Sequence, residues 1–152
     1  MGDVSLKERL RTDLTTAIKA RDEVRSGTLR MVLAALTNAE VAGKVAKELT
    51  DDEIISVLST EVKKRREAAQ AFADGGRQEA SERELAEAAV IIEYLPAQLS
   101  PEEISDIVAR AIAETGVSDA KGMGRVMGLV TPQVKGRADG GAVAAEVRRQ
   151  LA

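Results

Sequence analysis

The chain contains no cysteine and no histidine. Without cysteine there is no disulfide, no thiolate nucleophile and no zinc-finger spacing, and a cysteine-dependent glutaminase is excluded. Without histidine there is no imidazole base, hence no Ser-His-Asp triad and no Glu-x-x-His metal site. Tryptophan is also missing, and Phe72 and Tyr94 are the only aromatic residues. No apolar run is long enough to cross a bilayer and no signal-peptide core follows the N-terminus, so the chain reads as cytoplasmic, with no membrane partner. No Gly-x-x-x-x-Gly-Lys-Ser/Thr loop is present to cradle a phosphate. Serines occur singly, without the glycine-framed pair of an amidase nucleophile. Carboxylates are abundant, but most fall at helix starts or on outward faces, the usual structural places for such charges. No catalytic constellation is found, and neither a cofactor nor a metal is expected.

What the chain does have is 152 residues, 44% of them apolar. That is enough for one domain or two small ones. The apolar set is Ala, Val, Leu and Ile, which favours helices over sheets. The net charge of −3 is unevenly spread. Residues 1–47 carry nine Lys and Arg against six Asp and Glu; residues 48–116 carry seven against sixteen; residues 117–152 carry six against three. A cationic end on an acidic body directs an anionic partner to that end.

Periodicity predicts an all-α fold. Leu6, Leu10, Leu14, Ala17 and Ile18 recur at helical spacing over 5–20. Leu29, Val32, Leu33, Leu36 and Ala39 do so over 24–42, with Gly43 as a stop. Thr50-Asp51-Asp52-Glu53 is a capping box opening a helix that runs to about Ala73, with Ile54, Ile55, Leu58, Val62, Ala69 and Phe72 inside. Asp74-Gly75-Gly76 ends it. Ser81-Glu82-Arg83-Glu84 repeats the box and opens a helix to about Tyr94, with Leu85, Ala88, Ala89, Ile92 and Leu95 inward; Pro96 stops it. Ser100-Pro101-Glu102-Glu103 starts the next helix, which Gly116 closes. A helix from Lys121 to Lys135, kinked or tightened by Pro132, and a last one capped by Asp139 complete the set. The best boundary lies between Leu95 and Ser100. It divides a four-helix subdomain, 1–96, from a three-helix subdomain, 97–152.

The segment from Lys121 to Gly141 concentrates glycines, methionines and cations. At 100° per residue, Met123, Val126, Met127, Val130 and Val134 form one stripe, and Lys121, Gly124, Arg125, Gly128 and Lys135 lie opposite. A helical glycine costs about 1 kcal/mol against alanine. Gly124 and Gly128 therefore call for close approach, either of another helix backbone or of a phosphate backbone. Arg137, Arg148 and Arg149 add to the cations of this region and strengthen the case for phosphate. Elsewhere, Lys63-Lys64-Arg65-Arg66 spreads around its helix and reads as solvated charge paired with Glu61 and Glu67. Asn38, in an apolar helix, is expected to bond a neighbouring helix. Tyr94 either stacks on a base or plugs the join between the two halves.

Six pieces stand out in order along the chain: Leu29-Arg30-Met31, Asn38-Ala39-Glu40, Gly75-Gly76-Arg77-Gln78-Glu79, Tyr94-Leu95-Pro96-Ala97-Gln98-Leu99-Ser100, Gly122-Met123-Gly124-Arg125-Val126-Met127-Gly128 and Lys135-Gly136-Arg137-Ala138-Asp139-Gly140. Together they resemble the GatB/YqeY family, and among it the free-standing YqeY-like proteins. Ala80 departs from the leucine more usual in relatives, a matter of packing. The resemblance implies four helices followed by three. It also implies kinship with the tail of the B subunit of glutamine-dependent aspartyl/glutamyl-tRNA amidotransferase and with a module appended to some glutaminyl-tRNA synthetases, where the unit is implicated in holding tRNA. The label carbon–nitrogen ligase with glutamine as amide donor would reach this chain by kinship alone.

Three functions follow as expectations. The first is a tRNA-binding accessory protein, alone or beside an aminoacylation or amidotransferase enzyme, with Lys121, Arg125, Lys135 and Arg137 on phosphates and Gly124 and Gly128 admitting the backbone. The second is a module that docks a partner helix on the same glycines. The third is a tRNA-dependent amidotransferase in its own right, for which no nucleophile or base is found.

Overall fold

The computed structural model describes residues 4–152. It contains seven α-helices and one 3-10 turn, with no strand among the described residues. The helices are α1 (Leu6–Lys19), α2 (Glu23–Val41), α3 (Asp51–Asp74), α4 (Gln78–Ile92), α5 (Pro101–Thr115), α6 (Met123–Val134) and α7 (Gly140–Leu151). They group into two compact units, Met1–Leu95 and Pro96–Ala152.

In the first unit the capping residues do what their chemistry dictates. Ser5, Asp22 and Thr50 each accept a backbone N–H from the first turn of the helix they precede, and Thr50 with Glu53 completes a reciprocal box. Leu10, Leu29, Val32, Leu36, Ile54, Leu58, Val62, Ala88 and Ile91 make the core, with Tyr94 at its edge. Burying such aliphatic side chains stabilises by about 1.5–3 kcal/mol each.

Three details of this unit differ from the sequence reading. Helix α4 begins at Gln78, not at the Ser81 box, and its cap residue Arg77 provides no side-chain cap bond. Gly76, at φ 76°, turns the chain. Arg77 N–H then returns to the Phe72 carbonyl at 2.8 Å, so the helix restarts one turn early. Ser81 is consequently buried, and α4 turns Ala88, Val90 and Ile91 inward while Leu85 stays 50% exposed. Asn38 is exposed rather than bonded across helices.

The basic run is the third difference. Arg65 is buried, 4% exposed. Its Nη1 donates to the Glu61 carbonyl at 3.1 Å and its Nε lies 3.4 Å from Glu87. Among the described residues Arg65 Nε has no hydrogen-bond partner. The long side chain at this position points between helices, where a guanidinium is held only because two carboxylates converge on it.

In the second unit Ser100 and Glu103 form the reciprocal box that starts α5, and Gly116, left-handed at φ 69°, closes it. The core is Ile104, Val108, Ala111, Val126, Val130, Val134, Val143, Val147 and Leu151. The chain enters α6 through a 3-10 turn, Ala120–Gly122, where a continuous helix from Lys121 was expected. Asp139 caps α7 through the Ala142 N–H.

Candidate nucleic-acid interface

Helix α6 shows the two-sided character its pattern requires. Val126, Val130 and Val134 are buried and Met123 and Met127 are half-buried against the core of the second unit. Lys121, Gly124, Arg125, Gly128 and Lys135 are exposed. A Cβ built on Gly124 or on Gly128 meets nothing within 4 Å. Within the described chain no backbone presses on these glycines, so internal packing does not account for them.

The opposite holds for Gly122. A Cβ there would lie 2.3 Å from Val117 Cγ1 and 2.6 Å from Cγ2. Val117 is branched and half-buried in the core of this unit, so it has little room to move. Gly122 is the glycine that packing demands, and it sets the tight turn that aims α6. Asp119 supports the same turn, its carboxylate accepting the Lys121 N–H at 3.0 Å.

The cations divide into free and committed ones. Among the described residues Lys121, Arg125 and Lys135 form no ion pair. Arg148 is likewise exposed and unpaired, whereas Arg149 is paired with Glu146 one turn back. Arg137 is half-buried, and its Nε donates to the Ala97 carbonyl at 3.1 Å.

That last bond belongs to a clasp. Leu99 N–H donates to the Arg137 carbonyl at 2.8 Å. Gln98 Nε2 donates to the Gly136 carbonyl and to the Pro96 carbonyl, both at 2.8 Å. Gly136 is left-handed, φ 74°, a conformation that glycine adopts without the Cβ penalty. The segment before α5 is thus bonded to the segment between α6 and α7. Sequence reasoning missed Gln98, whose amide is a donor with two acceptors in reach; its position three residues before Pro101 gives no such sign. Beside the clasp, Glu103 is held below the usual carboxylate range. The main cause is the Ser100 N–H, followed by the Ser100 hydroxyl and the positive charge of Arg137.

The remaining sequence candidates lie in the first unit. Tyr94 is 6% exposed. Its hydroxyl donates to Asp13 at 2.5 Å, and the Arg9 guanidinium stands 4.6 Å above its ring. A ring so covered is not offered to a base. Burial first, and then the bond to Asp13, raise its phenol above the ordinary value of 10.0. Beside it Arg25 Nη2 pairs with Glu93 at 2.7 Å.

Fold and site together describe an all-α protein that carries an exposed, glycine-lined cationic helix. No helix among the described residues is long and apolar enough to cross a membrane. A family model described as "Yqey-like protein" matches residues 7–151, and the chain belongs to the YqeY-like family. Two fungal proteins, each named "Altered inheritance of mitochondria protein 41, mitochondrial", are similar to it. That of Pyrenophora tritici-repentis is 30% identical over 86% of this chain and 71% of its own length. That of Clavispora lusitaniae is 30% identical over 76% and 68%.

Proposed function

We propose that the three-helix unit binds tRNA through the exposed face of α6, and that the chain acts as an accessory to tRNA charging or amidation rather than as an enzyme. The carrying observation is the open backbone at Gly124 and Gly128 beside unpaired Lys121, Arg125 and Lys135. A bare helix flank lets a phosphate backbone come closer than any side chain would allow, and free cations neutralise it without first breaking an ion pair. The resemblance of the motifs to the tail of the tRNA amidotransferase B subunit supports the same reading. We take residues 1–96 and 97–152 as the two subdomains of that design. A carbon–nitrogen ligase label rests on kinship alone, and no residue is assigned to that chemistry. The reading is of a cytoplasmic protein; "mitochondrial" belongs to the names of the fungal relatives.

A salt series of tRNA titrations is the test. With Arg137 held in the clasp, three free cations predict a log–log slope of roughly −3. Arg125→Glu with Lys135→Glu should abolish binding. Absence of binding at low salt, or binding indifferent to that double variant, overturns the proposal.

A further inference from the structure

Helix α2 has a second apolar face that stays largely open in the described chain. Its inner side, Leu29, Val32 and Leu36, is fully buried. The outer side presents Val24, Gly27, Met31, Ala34, Asn38 and Val41. Val24 is 46%, Met31 51% and Val41 59% exposed; Ala34 and Asn38 are also exposed. A Cβ on Gly27 would meet nothing within 4 Å. These six residues follow a strict three-then-four spacing, the a and d positions of a heptad, and occupy a stripe roughly 100° wide. None is charged. A helix apolar on both sides is ordinarily buried on both sides.

We propose that this seam pairs with the same seam of a second copy, antiparallel, across a two-fold axis near Val32 and Leu33. The argument is complementarity of size. Reversing the helix about that point sets Met31 against Ala34 of the other copy, and Asn38 against Gly27. Val24 then meets Val41. In each of the two inner layers one large side chain enters the space left by a small one. The register is self-complementary, as an isologous interface requires. The Asn38 side chain makes no hydrogen bond among the described residues, and a polar residue at one a position fixes register at some cost in stability. Charge agrees: the antiparallel arrangement brings Glu23, at the start of one α2, toward the segment that follows Val41 of the other copy, which carries Lys44, and helix dipoles run oppositely. Met31 is already seated, its sulfur accepting from Arg65 Nη2 at 3.8 Å, which leaves a flexible thioether to fill the gap over Ala34. The seam is a single row of six mostly small side chains along one 19-residue helix, a small contact by the standard of stable dimers. Association is therefore expected to be weak and reversible.

Sedimentation equilibrium of the full chain from submicromolar to high micromolar concentration tests this. A reversible dimer is expected. Gly27→Lys leaves the monomer folded, because its Cβ enters open space, and should weaken dimerisation by at least about tenfold, some 1.4 kcal/mol. Ala34→Met alone should weaken it too, and Met31→Ala with Ala34→Met should recover it by restoring large against small. The chain has no cysteine, so a mixture of Val24→Cys and Val41→Cys proteins reports the register: the mixed disulfide dimer should dominate over either homodimer. A chain monomeric throughout, a dimer indifferent to Gly27→Lys, or preferred Val24→Cys homodimers would each overturn the proposal.

Discussion

The guanidinium of Arg137 is bonded through Nε to the carbonyl of Ala97 at 3.1 Å. The two residues come from the two motifs that make this sequence recognisable, Tyr-Leu-Pro-Ala-Gln-Leu-Ser and Lys-Gly-Arg. The bonds of Leu99 and Gln98 to residues 136 and 137 complete the closure. A cation expected on phosphate thus also straps the three-helix unit through its Nε.

Arg137→Ala should lower the unfolding free energy by about 1 kcal/mol, the low end for a charged donor at a partly exposed site. Arg137→Lys should not restore it, since an ammonium on a flexible stem does not reproduce the Nε geometry. The tRNA salt slope should stay unchanged in both variants, provided the protein is folded. Chemical denaturation and titration, run on the same preparations, check the two halves of the expectation.

The glycines of the α6 segment should separate by sign. Gly122→Ala drives a Cβ to 2.3 Å from Val117 and should destabilise by about 1–3 kcal/mol. Gly128→Ala meets open space and should stabilise by about 1 kcal/mol through helix propensity. The same Gly128→Ala should weaken tRNA binding, because the methyl stands where the backbone would approach. Thermal melts and the titration give both readouts, and a Gly128→Ala protein that gains stability and keeps full affinity would remove the functional reason for the glycine.

Much of the fold was legible because helix starts and stops are local. Thr50, Ser100, Pro101 and Gly116 act where their side-chain and backbone chemistry says they must. The face of α6 was legible for the same reason, since five apolar residues fix its inner side. The start of α4 was not, because Gly76 and Arg77 close a turn whose tightness depends on Phe72 one helix back. Arg65 was not legible either. A run of four cations looks alike at each position, and only the convergence of Glu61 and Glu87 from two helices selects the one that is buried. The strap made by Arg137 was not legible because nothing in its neighbourhood along the chain announces Ala97, forty positions away.

Arg65 makes the next prediction. Its side chain is 5% exposed, against 12% for Glu61 and 20% for Glu87. Removing a carboxylate leaves the charge inside uncompensated, whereas removing the arginine leaves acids that reach water. Glu61→Ala with Glu87→Ala should therefore cost about 3–5 kcal/mol, and Arg65→Met, which keeps the volume and removes the charge, distinctly less. Urea unfolding of the two variants decides the order; the reverse order would mean that the pairs stabilise through the arginine's packing.

Tyr94 carries the pH dependence at the alkaline end. Burial and the bond to Asp13 raise its phenol above the ordinary value of 10.0. A group with a raised folded-state value contributes its full stability below the unfolded value and loses it as pH rises. The first unit should therefore be stable up to about pH 10 and weaken above it, as the unfolded tyrosine ionises and the folded one does not. The chain has one tyrosine and no tryptophan, so tyrosinate absorbance reports this residue alone. Its appearance should coincide with the loss of helical circular dichroism, not precede it. Asp13→Asn should move ionisation back toward 10 by removing the negative acceptor, and Tyr94→Phe should weaken the alkaline unfolding at a cost of about 1 kcal/mol at neutral pH. A tyrosine that ionises near 10 while the helices remain intact would show that Asp13 and the surrounding core do not hold the proton. The anchoring of the Tyr-Leu-Pro segment to α1 would then have to come from the ring's apolar contacts alone.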